Sequence, residues 1–190
     1  MTIRRLAAAL VLALAVVTVV LLRTGDRGGE KQQVASESVA APSGVDVHYA
    51  QMMVAHHEQA VRMSRTLIAK GDVPERIRLI AEFIVHDQQL EIDRTNDWLA
   101  AWNQPPAAQD GGAEHGMLTT AQLAELDRAD ARTAPPVFLR LMIEHHRGAI
   151  TMSRSLLDGP GGNAYIHSLA KHVVNEQTAE NDAMAALLKP

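Results

Sequence analysis

Met53 to Arg65 reads M-V-A-H-H-E-Q-A-V-R-M-S-R, and Met142 to Arg154 reads M-I-E-H-H-R-G-A-I-T-M-S-R. The two stretches lie 89 residues apart and agree at seven of thirteen positions: Met, His, His, Ala, Met, Ser and Arg. The register continues without a gap. Ala81, Val85, Gln88, Glu91 and Asp93 meet Ala170, Val174, Gln177, Glu180 and Asp182. The repeated unit is therefore a pair of segments, a Met/His cluster followed by a Gln/Glu pair. Internal repeats decide architecture. These also point to chemistry, because imidazole and thioether are the neutral side chains that bind soft metals.

Hydropathy recurs at helical spacing through most of the chain. Asp46 is the expected N-cap of a first helix reaching about Ile68, with Gly71 beyond its end. Pro74 sits in the first turn of a second helix, which runs to about Trp102 and stops at Gln104-Pro105-Pro106. Thr119 and Gln122 form a capping box that opens a short helix to about Ala131. Pro135 and Pro136 start a long helix to Leu157, and a last helix runs from about Asn163 to Leu188. Aromatic residues make up 3% of the chain and Ala, Leu, Ile, Val and Met carry its apolar fraction, a mixture that favours helix over strand. The expected fold is all-α. It is a four-helix bundle of two pseudo-repeated hairpins (46–102 and 135–188), with a short helix in the crossover. A folded part of about 145 residues can bury a sufficient core by itself.

Residues 1–23 stand apart from this domain. Arg4 and Arg5 precede an apolar run from Leu6 to Leu22, closed by Arg23. The run is just long enough to span a membrane and no small-x-small cleavage site follows it, so it reads as a signal anchor with the N-terminus in the cytoplasm. If the signal is cleaved instead, the protein is secreted. Residues 24–44 are polar and aperiodic, a flexible linker to the bundle at 45–190. The bundle is then extracytoplasmic, at the cell surface or in the periplasm. No cysteine is present, which excludes a lipobox, a disulfide and a thiolate metal site. The net charge of -4 gives no reason to expect nucleic acid.

On a helix, residues advance about 100° each. Met53, His56, Ala60 and Met63 share one stripe, and Met142, His145, Ala149 and Met152 share another. His57 and His146 stand beside those stripes. Gln88 with Glu91, and Gln177 with Glu180, lie on the second helix of each hairpin, placed to orient the histidines. Thioether and imidazole without thiolate suit copper, above all Cu(I). Zinc rarely uses Met, and no H-E-x-x-H occurs. A ferritin-type di-iron site needs Glu-x-x-His twice, and no Glu here has His three residues later. The competing reading is structural. Met at helical spacing is often core filler, His56 or His145 can be a buried imidazole satisfied by Glu91 or Glu180, and the second His of each pair can be solvated. His115 with Met117 in the central loop is a candidate accessory site. Nothing indicates an enzyme: there is no G-x-S-x-G, no Gly-rich phosphate loop and no carboxylate pair whose spacing demands acid–base work.

Asp46, Tyr49, Met53, His56, His57, Ala60 and Met63, and again Phe138, Met142, His145, His146, Gly148, Ala149 and Met152, resemble the doubled motif of domain-of-unknown-function family 305. The resemblance covers about Asp46 to Leu188. It departs at Pro135, where the second Asp would stand, at Glu58-Gln59 in place of Gln-Gly, and in a central loop with one His-Gly-Met instead of a Met-rich run. The resemblance implies a ferritin-like bundle, secreted or membrane-tethered, in a family where some members look like copper- or silver-binding proteins. The expected function is a membrane-anchored extracytoplasmic buffer or carrier of copper. The expected partners are the metal ion, the membrane and a protein outside the cytoplasm or a second copy. The alternative is a bundle without metal, its His-His pairs serving as polar locks.

Overall fold

A computed structural model describes residues 41–106 and 116–189. The expected anchor (1–23), most of the expected linker, and His115 lie outside the described residues. Five helices follow one another: α1 (Gly44–Ala69), α2 (Glu75–Ala101), α3 (Thr120–Arg128), α4 (Ala134–Leu157) and α5 (Ala164–Leu187). The fold is an all-α, ferritin-like bundle of two hairpins, α1/α2 and α4/α5, joined mainly through α1 against α4. α3 lies against α1 and α4 in the crossover. No helix among the described residues is long and apolar enough to cross a membrane.

The helix starts show how the sequence sets these boundaries. Ser43, not Asp46, caps α1. Asp46 is the third residue of the helix and completes a capping box by accepting the Ser43 N–H at 2.8 Å. Asp46 is nevertheless buried, because its other oxygen accepts the Asn163 N–H at 3.3 Å and ties the start of α1 to the start of α5. Burial works against its charge, but the hydrogen bonds from Ser43, Asn163 and Gly162 outweigh it and hold its pKa below the ordinary carboxylate value. In the second repeat Pro135 replaces this Asp, and α4 starts without a side-chain cap. Asp130 compensates by accepting the N–H groups of Arg132 and Thr133. The chain is already extended at Ala129, the C-cap of α3, which is why α3 ends at Arg128 and not near Ala131.

α1 and α4 run antiparallel. Tyr49 faces Ser153, with 2.8 Å between the hydroxyls, and the His56 ring faces the His145 ring. The core falls into two large apolar clusters, beside a small one of Val54, Val61 and Ile92. One holds Met63, Leu67, Ile84, Phe138, Leu141 and Met142, with Leu118 and Leu126 from the crossover. The other holds Tyr49, Met53, Leu99, Leu156, Ile166 and Val173. Between them, along each long helix, come the polar residues of the doubled motif.

The crossover is pinned over α1 and α4 at two points. Gln59 reads the Leu118 peptide with both ends of its amide, donating to the Leu118 carbonyl at 3.1 Å and accepting the Leu118 N–H at 2.8 Å. At the equivalent place on α4 stands Gly148. A Cβ there would lie 2.5 Å from the Gly116 Cα, and Gly116 itself has φ +82°. The departure at Gln59 and the match at Gly148 thus have one cause. A single crossover passes over two equivalent positions and needs a different contact at each.

Candidate metal centre

His56 and His57 are neighbours on α1, so they point about 100° apart. His56 turns toward α4 and meets His145, with ring centroids 3.7 Å apart and planes inclined at 35°. These two residues are equivalent in the repeat, so the pseudo-two-fold axis passes between them. His57 turns toward α2, where its Nε2 stands 2.6 Å from Glu91 Oε2. His146 makes the same contact with Glu180, also at 2.6 Å. All four imidazoles are buried, at 1% exposure or less.

This arrangement corrects the sequence reading at two points. The second His of each pair is not solvated. The partners of Glu91 and Glu180 are His57 and His146, not His56 and His145. Helix geometry explains why: Glu91 lies on the α2 face packed against α1, and a side chain one residue beyond His56 is the one that reaches it.

The hydrogen-bond ledger of the layer is incomplete. A carboxylate only accepts, so Nε2 of His57 and of His146 is the donor. The other ring nitrogen, Nδ1, has no hydrogen-bond partner in either residue. His145 has none at either nitrogen. Gln88 has none at either end of its amide, and the Gln177 carbonyl oxygen has none, although both side chains are buried. Buried polar groups are nearly always satisfied, so so many orphans in one layer require an explanation. His145 is held neutral. Burial pushes its pKa well below the ordinary imidazole value, and His56, His146 and His57 act in the same direction. Neutral imidazole is the form that binds metal.

The thioethers flank this layer. Met63 and Met142 belong to one apolar cluster, and Met53, with half-buried Met152, to the other. The structure thus gathers Met53, His56, His57, Met63, Met142, His145, His146, Gln88, Glu91, Gln177 and Glu180 in or beside one stratum of the bundle. Met152 is the most exposed of the four thioethers.

Three residues escaped the sequence reading. Asp87, His172 and Glu176 converge between α2 and α5, each offering a ligand atom within 4.8 Å of the others. The signal was present: Asp87 and Glu176 are 89 residues apart, the repeat offset, and each immediately precedes the repeated Gln. Tyr49 and Ser153 form a further unforeseen pair. Their equivalents in the other copy are Phe138 and Ser64, and the Ser64 hydroxyl is buried without a hydrogen-bond partner.

The family model described as "Domain of unknown function (DUF305)" matches residues 46–188. No curated protein sequence matches the chain. Among solved structures, a DUF305 fragment from Deinococcus radiodurans is 28% identical, with a TM-score of 0.70 over 78% of this chain and 98% of that one. A DUF305 protein from Streptomyces coelicolor, described as secreted, is 31% identical, with a TM-score of 0.69 over 76% and 91%. CopM in its Cu(I)-bound form is 25% identical, with a TM-score of 0.62 over 75% and 94%. CopM also has an Ag-bound form.

Proposed function

The chain belongs to the DUF305 family, and from that premise we propose that it is an extracytoplasmic copper-binding protein that buffers or carries Cu(I) and is not an enzyme. One observation carries the reading. His145 is fully buried, neutral and without a hydrogen bond at either nitrogen, and its ring meets that of its repeat-mate His56 at a tilt, between two layers of methionine. Imidazole nitrogens of this kind suit a soft cation, and a thioether beside them selects copper over zinc. His56 and His145 are the central ligands of the proposal, with Met53, Met63, Met142 and Met152 as sulfur donors. Similarity to CopM, with its copper- and silver-bound forms, supports the metal. The secreted Streptomyces relative supports the location, and the Leu6–Leu22 run supports membrane anchoring.

The structural alternative keeps a specific place within this reading. The His57–Glu91 and His146–Glu180 pairs are buried contacts between the two helices of each hairpin, and they serve as polar locks. The doubled His-His thus divides two roles, the first residue facing the metal and the second holding the hairpin.

The test replaces sulfur without disturbing packing. Met-to-Leu exchange conserves volume and costs less than about 1.5 kcal/mol per site. The variant Met53→Leu, Met63→Leu, Met142→Leu, Met152→Leu should fold and lose most of its Cu(I) affinity in a chelator competition. Undiminished Cu(I) binding by this variant refutes the thioether site.

A further inference from the structure

The four carboxylates of the bundle's outer seam form a pattern that the copper site does not use. Asp87 and Glu91 are one helical turn apart on α2, and Glu176 and Glu180 are one turn apart on α5. The two pairs are equivalent in the repeat. The seam has few close approaches between α2 and α5, and it opens into a cavity of about 260 Å³ lined by Asp87, Glu91, Arg94, Tyr165 and His172 among others. His172 breaks the symmetry, because its equivalent in the first copy is Phe83. Its Nε2 lies 3.0 Å from Glu176 and 3.4 Å from Glu91 Oε1. Glu91 therefore faces both ways: its other oxygen holds His57 of the buried layer.

We propose that Asp87, His172 and Glu176, with Glu91 behind them, form a second metal site that takes a divalent cation of borderline hardness. The donor set is one imidazole and carboxylate oxygens without sulfur, the choice of Zn(II), Co(II) or Cu(II) and not of Cu(I). The geometry needs little adjustment. In a tetrahedron with bonds of about 2.0–2.2 Å, ligands stand about 3.3–3.6 Å apart, and here the three ligand atoms already lie within 4.8 Å of one another. The charge balance favours a cation. Asp87 and Glu176 are half-buried carboxylates brought together across the seam. His172 offsets part of their repulsion, and Arg94 stands at the same opening. Glu91 is shared between the outer cluster and the His57 lock of the buried layer.

The experiment uses the full chain in detergent and Co(II), which reports nitrogen and oxygen coordination through its visible d–d bands. Ag(I) first saturates the thioether site, and Co(II) is then titrated. The wild type should bind one Co(II) in the presence of Ag(I). Asp87→Asn with Glu176→Gln should lower Co(II) affinity about tenfold or more with no loss of thermal stability, since neutral isosteres relieve like-charge repulsion. His172→Ala should shift the d–d spectrum by removing the nitrogen donor. Ag(I) capacity should be unchanged in both variants. Absence of bound Co(II), Co(II) binding indifferent to both variants, or its displacement by Ag(I) overturns the outer site. Failure of Ag(I) to bind at all refutes the thioether site instead, and the comparison of Co(II) affinities still decides this one.

Discussion

Replacing His145 by Leu should leave the metal-free protein as stable as before or more so, while replacing His57 by Leu should destabilise it. The two histidines are equally buried, so burial alone does not separate them; their hydrogen bonds do. His145 presents two ring nitrogens with no hydrogen bond, and each buried orphan costs about 1–3 kcal/mol. Its contact with the His56 ring, at 3.7 Å between centroids, is worth about 0.5–1.5 kcal/mol. Leucine nearly fills the space and removes both orphans, so the net change runs from about 0.5 to about 5.5 kcal/mol in favour of folding. His57→Leu leaves the Glu91 side chain, 10% exposed, without its 2.6 Å partner. Breaking a buried pair costs about 3–5 kcal/mol. His172, at 3.4 Å from the other Glu91 oxygen, softens this to about 2–4 kcal/mol.

Urea unfolding of the metal-free variants measures both effects, provided the slope with denaturant stays constant. For a domain of this size each 1 kcal/mol moves the Tm by about 2–4 °C. Adding Cu(I) completes the test. Wild type should gain about 2.7 kcal/mol when free metal is 100 times the Kd, and His145→Leu should gain nothing. Loss of more than about 2 kcal/mol in metal-free His145→Leu, with His57→Leu unharmed, would reverse the assigned roles. Full copper stabilisation in His145→Leu would remove His145 from the ligand set.

Three further outcomes follow from the geometry. Phe138→Tyr should place a hydroxyl at the position equivalent to Tyr49, give the orphaned Ser64 hydroxyl a partner and add about 1 kcal/mol, seen as a higher Tm; Tyr49→Phe should cost a similar amount by orphaning Ser153. Because the folded-state pKa of His145 is well below its unfolded value, the unfolded chain takes up the proton first. The metal-free stability is therefore complete above about pH 6.5 and is lost as pH falls below it, by at most about 1.4 kcal/mol per pH unit for this group. Urea titrations at several pH values should show this slope in wild type and less of it in His145→Leu. Gly148→Ala should cost about 1–3 kcal/mol in thermal melts, because its Cβ would lie 2.5 Å from backbone at Gly116, which cannot swing aside as a side chain can.

The repeat made the bundle legible, since two equivalent hairpins that each leave an apolar stripe uncovered must cover one another. Helix ends were legible to within a few residues where a capping box or proline stood, as at Thr119 and Pro74, and less so where a cap depended on distant chain. Asp46 looked like an N-cap because its buried role, holding the Asn163 N–H, comes from the far end of the sequence. The composition of the site was legible, but its pairing was not. Periodicity assigns His56 and His57 to different faces without saying which face meets α2 and which meets α4. The cluster of Asp87 and Glu176 was not legible, because their convergence depends on how two second helices, distant in sequence, approach across the axis.

Two-fold duplication constrains what such a bundle can place at its centre. A residue at the axis necessarily appears twice, so one imidazole on α1 brings another on α4 into contact, and the His145 nitrogens there have no hydrogen bond. A purely structural design would put apolar residues there, as the flanking layers do with Ala60 in one and Ala149 in the other, both fully buried. Departures from symmetry fall where only one object is available to serve two equivalent positions. The single crossover meets Gln59 on one side and Gly148 on the other, and His172 stands alone on a seam whose carboxylates are paired. Symmetric residues therefore supply the centre and its locks. The asymmetric ones are the places to look for what distinguishes this chain from a bare repeat, and the outer site built on His172 is the first of them.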